Sequence, residues 1–314
     1  MNKKDIKIVY MGTPEFSTVV LRGLIEDGYN IVGIVSQPDK EVGRKRILEA
    51  TPVKKVGLEY GIPVFQPAKL RLENEFLNEL QPDVIITCAY GQIVPTCVLE
   101  LPKYGCLNVH GSLLPKLRGG APMQRCLMNG DKETGITLMQ MIDKMDAGNM
   151  YYQKSIEIND NDNYQVIHDK LSVLGRDMLL EYLPTYIDQR PEGTPQVEEE
   201  VTYGYTIKRE DEVIDFSKCA KCVHNLVRAL DPQTGAHCMF NGQEVKIWRT
   251  HIVEFDGNDV EAGTIVQANK QGLIVACGCG YIAIDELQLQ GKKRIGYKDF
   301  LNGCKEDLIG KRFE

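Results

Sequence analysis

The spacing of its apolar runs is what most constrains this chain. Across the first 150 residues, five short stretches are rich in β-branched and other apolar side chains: 6–12 (IKIVYMG), 30–37 (NIVGIVSQ), 83–90 (DVIITCAY), 106–112 (CLNVHGS) and 135–141 (GITLMQM). Several are nearly all apolar, and a strand apolar on both faces has to be covered on both faces, as in a parallel sheet sandwiched by helices. The intervening segments supply the helices. FSTVVLRGLIEDG carries apolar residues at helical spacing and ends at Gly28; TPVKKVGLEYG offers Thr51 as N-cap, Pro52 at the first helical position and Gly61 past the end. The predicted architecture is a doubly wound, mostly parallel α/β domain of Rossmann-like type.

The second half reads differently. A helical pattern over 163–187 puts Ile167, Leu171, Leu174, Met178 and Tyr182 on one face, after which 189–206 loses periodicity and gains Pro, Gly and acidic residues. Residues 1–189 are thus expected to form one domain, 190–208 a linker, and 209–314 a second domain. In the latter, one helix (KCVHNLVRAL) precedes short strands, with Asn241-Gly242 as a hairpin signal, so a small β-barrel is predicted. At 314 residues and 43% hydrophobic content, the chain can supply a core to each domain. It shows no apolar stretch of signal-peptide or membrane-helix length, and a cytoplasmic location is expected. The ten cysteines are then expected as thiols. CAKC at 219–222 followed by CGC at 277–279 could bring four of them to zinc, but the second pair is closely spaced and Cys219 and Cys222 fall along an apolar helical stripe, so no metal is expected.

Within this frame the stretch 107–122, LNVHGSLLPKLRGGAP, is unusual. Alternate strand residues share a face, so Asn108 and His110 project together. They stand at the end of the fourth apolar run, and open parallel sheets bind ligands outside the carboxyl ends of their strands. An amide and an imidazole so placed suit chemistry in which negative charge grows on a carbonyl oxygen, and the imidazole also suits proton transfer near neutral pH. A carboxylate partner comes from Asp146 or Asp143, beyond the fifth run; the residues alone do not choose between them. No G-x-G-x-x-G follows the first strand and no phosphate loop is present, which argues against dinucleotide or P-loop chemistry.

NVHGSLLPKLRGGAP closely resembles the N-x-H-x-S-L-L-P-x-x-R-G signature of 10-formyltetrahydrofolate-dependent formyltransferases, and MDAG resembles their D-x-G element, which selects Asp146. MGTPEF, QPDKEVGR, VFQP and AYGQIVP, with VKIW, GTI, ANKQG and GKK further on, are similar to the branch acting on methionyl-tRNA. The resemblance covers nearly the whole chain. It implies Asn108, His110 and Asp146 as the catalytic trio, His110 acting as oxyanion donor, acid or base. It implies a 10-formyltetrahydrofolate co-substrate gripped by Ser112, Leu113, Leu114 and Pro115 and by the loop Ala89, Tyr90, Gly91, Gln92, Ile93 and Val94. It also implies a barrel similar to an oligonucleotide-binding fold that holds initiator methionyl-tRNA, with Lys40, Arg44, Lys45 and Arg46 in a loop reaching the acceptor stem. The implied reaction is formylation of the methionyl amino group for translation initiation, with no metal, membrane or obligate protein partner. Rivals are a formyltransferase for glycinamide ribonucleotide or an amino sugar, a formate-releasing hydrolase, and a non-catalytic RNA-binding module. Fourteen Lys and Arg stand against sixteen Asp and Glu over 209–314, and the whole chain carries −7, so tRNA affinity has to come from local clusters. Lys292, Lys293 and Arg294 form the second such cluster.

Overall fold

Short β-rich runs separated by amphipathic helices build the first half of the chain in the computed structural model, which describes residues 2–43, 46–256, 260–304 and 306–314. In chain order these are β1 (Lys7–Gly12), α1 (Glu15–Glu26), β2 (Asn30–Val35), a small hairpin of β3 (Lys40–Val42) and β4 (Ile47–Glu49), α2 (Pro52–Tyr60), β5 (Val64–Phe65), α3 (Phe76–Leu80), β6 (Val84–Cys88), α4 (Thr96–Leu99), β7 (Cys106–His110), α5 (Pro122–Asn129), β8 (Glu133–Gln140), β9 (Met150–Glu157) and α6 (Tyr164–Gln189). Seven strands form one sheet in the order β5-β2-β1-β6-β7-β8-β9. The first five are parallel, and the order reverses between β1 and β6, which opens a crevice at the carboxyl ends of those two strands. The predicted capping of α2 is present: the Thr51 hydroxyl accepts from the Lys54 N–H at 3.2 Å, and Gly61 takes the left-handed conformation at φ 66°. Val9, Met11, Val35, Ile85, Leu70 and Leu77 are buried together in one core of this sheet.

Two features depart from the sequence reading. The fifth apolar run, β8, is antiparallel to β7, with His110 opposite Thr137 and Leu107 opposite Gln140. Periodicity reports burial, and a buried antiparallel strand carries the same apolar signal as a parallel one. The basic segment expected as a loop at 40–46 begins as a strand, Lys40 pairing with Glu49.

Contacts divide the chain into two units. One comprises Met1–Pro122, Glu133–Ile156 and His168–Tyr205; the other comprises Met123–Lys132, Glu157–Ile167 and Thr206–Glu314. In the second, α7 (Ala220–Leu230) precedes β10 (Ala236–Phe240), β11 (Gln243–Val253), β12 (Ile265–Asn269), β13 (Gly272–Ala276), β14 (Tyr281–Leu289), β15 (Ile295–Gly296) and α8 (Tyr297–Gly303). The sheet runs β10-β11-β14-β13-β12, with β15 on β14. The last residues then join its two outer strands: Phe313 pairs with Phe240 at the end of β10, Arg312 pairs with Thr264 at the start of β12, and Met239 and Glu314 exchange backbone hydrogen bonds of 2.7 and 2.8 Å. That closes the sheet into a barrel and removes its free edges. Val245, Ile247, Leu273, Val275, Ile282, Ile284 and Phe313 fill it. Asn241 and Gly242 make the β10–β11 turn with φ of 49° and 73°, the double positive φ that a two-residue hairpin of matching twist requires. Among the described residues no helix is long and apolar enough to cross a membrane.

Candidate active site

The crevice beside β1 and β6 is where the loops carrying the motif residues meet. Thr13, just after β1, donates its hydroxyl to the Tyr90 carbonyl at 2.8 Å, tying the β1 loop to the β6 loop. In the 89–94 loop, Tyr90 and Val94 turn into the core, and burial pushes the Tyr90 hydroxyl well above its ordinary value. Gln92 pins the loop, accepting from the Leu70 N–H at 2.8 Å and donating to the Pro67 carbonyl at 3.1 Å. Outward-facing are Ala89, Gly91 and Ile93, the last 81% exposed.

On β7, Asn108 and His110 lie on one face as expected. The Asn108 carbonyl oxygen accepts from the Thr87 hydroxyl at 2.8 Å, and among the described residues its amide nitrogen makes no hydrogen bond. His110 is 6% exposed; its Nε2 lies 3.2 Å from the Leu117 carbonyl, which can only accept, so Nε2 carries a proton. Nδ1 faces Asp146 Oδ1 at 3.7 Å, beyond hydrogen-bonding distance but within reach of charge attraction. The other oxygen, Oδ2, accepts from the Gly119 N–H at 2.8 Å. An imidazolium between Leu117 O and Asp146 would face an acceptor at each nitrogen.

Asp146 reaches this place by a route the sequence did not indicate. Because β8 is antiparallel, the chain leaves it at the far edge, the Met141 N–H bonding the Cys106 carbonyl at 3.0 Å, and the turn that follows folds back to His110. Asp146 takes φ 50° there, Leu117 φ 60° and Ala89 φ 50°, three non-glycine left-handed residues around one site. Such conformations persist where the surroundings hold them and gather at functional sites. Asp143 is exposed.

Residues 112–115 form a braced turn. Ser112 donates to the Lys116 carbonyl at 2.7 Å, and the Thr137 hydroxyl donates to the Ser112 carbonyl at 2.7 Å while accepting from the Leu114 N–H at 3.1 Å. Gln153 donates to Thr137 and to the Leu114 carbonyl, both at 2.8 Å. Leu114 is buried, Leu113 and Pro115 half-buried.

Sequence reasoning missed the residues that hold the 117–119 turn beside His110 and Asp146. Arg118 is 0% exposed, with Nε on Gln196 at 2.9 Å, one Nη on Glu198 at 3.1 Å and the other without a partner among the described residues. Gln196 also donates to the Asp146 and Gly148 carbonyls, each at 2.8 Å. Leu117 and Arg118 N–H groups bond Thr202, and the Arg118 carbonyl accepts from Gly204. Gly119 lies so close to the Gly204 carbonyl that a Cβ would approach it to 2.9 Å. Residues 196–204, read as linker, are therefore a strap on the turn that contacts His110 and Asp146. The Arg-Gly of the motif was its one trace in the sequence.

The basic residues divide. Lys40 is exposed on β3; Arg46 is exposed and paired with Glu41 at 2.5 Å; Arg44 and Lys45 lie outside the described residues. Lys292 and Lys293 are exposed and make no ion pair among the described residues. Arg294 instead bonds Asp231 at 2.6 Å and Glu286, and lies 5.1 Å over the Trp248 ring. Among the described residues no group of three or more His, Cys, Asp or Glu side chains is arranged to hold a metal.

Residues 6–183 match the formyl transferase family and residues 206–305 the formyl transferase C-terminal domain, so the fold is that of a formyl transferase. Methionyl-tRNA formyltransferases of Bacillus thuringiensis (strain Al Hakam) and Bacillus anthracis are each 47% identical to the chain over 306 residues, 96% of it and 97% of theirs. The chain belongs to the methionyl-tRNA formyltransferase family. Three solved structures share the fold at low identity. An N-formyltransferase from Helicobacter canadensis in complex with folinic acid and dTDP-3-aminofucose aligns at TM-score 0.69 and 20% identity, over 89% of this chain and 98% of that one. Methionyl-tRNA formyltransferase from Clostridium thermocellum aligns at 0.57 and 18%, over 79% and 94%. HypX from Aquifex aeolicus in complex with tetrahydrofolic acid aligns at 0.67 and 18%, over 96% of this chain and 48% of HypX, so the chain spans about half the length of HypX.

Proposed function

We propose that the protein transfers a formyl group from 10-formyltetrahydrofolate to the α-amino group of methionine carried by initiator tRNA, supplying formylmethionyl-tRNA for translation initiation in the cytoplasm. The observation that carries this reading is the grouping of Asn108, His110 and Asp146 at the sheet crevice of a chain 47% identical to methionyl-tRNA formyltransferases over nearly its full length. The amine attacks the formyl carbon, and negative charge develops on the formyl oxygen. The unengaged Asn108 amide donates to that oxygen, and the Nε2–H of His110, resting on Leu117 O in the free enzyme, turns to it as well. Asp146 on the opposite nitrogen holds the positive imidazole. Removing one such donor typically costs about 10²- to 10³-fold in rate.

The folate donor lies against the braced turn Ser112, Leu113, Leu114 and Pro115 and the 89–94 loop, where the exposed Ile93 offers an apolar wall to a flat ring system. Ser112 acts by shaping that turn, since its hydroxyl is already used on Lys116. The tRNA is held by basic residues: the exposed Lys40 and Arg46, with Arg44 and Lys45 between them in the sequence, at the acceptor end, and the exposed Lys292 and Lys293 on the barrel. The test offers one formyl donor to initiator methionyl-tRNA, glycinamide ribonucleotide, a nucleotide-linked amino sugar and water in parallel. Formylation of the tRNA alone supports the reading; preference for any other acceptor overturns it.

A further inference from the structure

The second unit brings four cysteines, Cys219, Cys222, Cys277 and Cys279, to one end of α7. Cys219 is the N-cap of α7, and its sulfur accepts the backbone N–H of Cys222 at 3.2 Å. Cys222 follows on the first turn, and a Cys219 sulfur 3.2 Å from the Cys222 backbone nitrogen is one rotamer away from the Cys222 side chain. The turn 277–280 docks beside them: the Ala220 N–H bonds the Cys279 carbonyl at 2.8 Å, making Cys279 a backbone neighbour of Cys219, while Gly278 bonds the Phe216 and Lys218 carbonyls. Cys222 and Cys279 are exposed, Cys219 half-buried and Cys277 buried.

These thiols are not equivalent. Burial pushes Cys88, Cys106, Cys238 and Cys277 up to about 12, which keeps them protonated and unreactive near neutral pH. Cys219 is shifted the other way, because the Cys222 thiol and the N–H groups opening α7 donate to its sulfur, whereas Cys222 is raised. The pair is therefore asymmetric, Cys219 losing its proton more readily than Cys222.

We propose that Cys219 and Cys222 form a reversible dithiol site for low-molecular-weight disulfides, Cys219 being the nucleophile and Cys222 the resolving thiol. The Cys219 thiolate attacks one sulfur of a disulfide RSSR, forming a mixed disulfide and releasing RS⁻. Cys222 gives up its proton and attacks the Cys219 sulfur; the Cys219–Cys222 bond forms and the second RS⁻ leaves. The protein pair is oxidised by two electrons, and RSSR is reduced to two RSH.

The experiment treats the reduced full-length protein with oxidised glutathione, quenches with acid at intervals, and maps the thiols by peptide mass spectrometry. Glutathione is expected on Cys219 first, followed by conversion to a Cys219–Cys222 disulfide that dithiothreitol reverses. Cys222→Ser should accumulate the mixed disulfide on Cys219, and Cys219→Ser should slow modification of this pair by at least about 10-fold. Prior reaction at Cys97 or Cys279, a Cys219–Cys279 bond, a mixed disulfide that persists in the unaltered protein, or an equivalent of zinc shielding the four thiols would each overturn the proposal.

Discussion

Replacing Gln196 with alanine should disable Asp146 from a distance. Its amide nitrogen donates to the Asp146 and Gly148 carbonyls, and its oxygen accepts from Arg118 Nε. Asp146 is half-buried and Gly148 buried, and each lost bond is counted at its net worth of about 0.5–1 kcal/mol. Arg118 is different: it is wholly buried and already has one Nη without a partner among the described residues, so a second bare N–H costs about 1–3 kcal/mol. Together these give about 2–5 kcal/mol, or roughly 4–20 °C in Tm at about 2–4 °C per kcal/mol. Turnover should fall further than stability alone explains. Asp146 is held at φ 50°, and a carboxylate displaced by about 1 Å costs on the order of 10²-fold. Gln196→Glu separates the two effects, since a carboxylate keeps Arg118 Nε company but cannot donate to the two carbonyls; it should recover only the Arg118 share of the Tm loss while leaving turnover low. Thermal melts beside single-turnover formylation of initiator methionyl-tRNA read both quantities. Turnover within threefold of the unaltered protein in Gln196→Ala, or full recovery of turnover in Gln196→Glu, would refute the strap.

Asp146→Asn should lower turnover by at least about 10²-fold with folate binding nearly unchanged, measured by thermal shift with a folate lacking the formyl group; turnover within a few-fold would remove Asp146 from the mechanism. Joint replacement of Lys292 and Lys293 by alanine should flatten the salt dependence of tRNA affinity by about one to two units of log slope at constant Tm, whereas Arg294→Ala should cost about 1–3 kcal/mol of stability because it strips the buried Asp231 of its cation. Burial also holds the His224 imidazole below its ordinary value, with Nδ1 facing the Thr250 hydroxyl and Nε2 donating to the Asp160 carbonyl, both at 3.1 Å. The unfolded chain, titrating near ~6.5, then takes up the proton first, so this stability is present above that pH and lost as pH falls below it. Denaturant titrations from pH 7.5 to 5.5 should show stability falling, and His224→Gln should reduce that slope. His237, also lowered by burial, should account for part of what remains.

Much of this was legible in local pattern. Apolar runs located β1, β2, β6, β7 and β8 to within about two residues, Thr51, Pro52 and Gly61 marked both ends of α2, and Asn241-Gly242 marked the β10–β11 turn. These signals are written in neighbouring residues because they arise from backbone sterics, capping and burial period, which act over a few positions. The Asn108–His110 pairing was likewise set by strand alternation alone. The direction of β8 was not, since burial does not distinguish parallel from antiparallel neighbours, and with it went the path by which Asp146 returns to His110. Nor did composition separate Arg294, spent on Asp231 and Glu286, from Lys292 and Lys293 beside it, which make no ion pair among the described residues. The strap was hidden for the same reason: Gln196, Glu198 and Thr202 are polar residues among Pro and Gly, and nothing local says that a guanidinium 78 and 80 positions away is buried against the first two. Which residues could form strands, caps and an amide beside an imidazole on one strand face was decided by the sequence; which polar groups are spent on holding one another, and which are left unengaged, was decided by long-range packing.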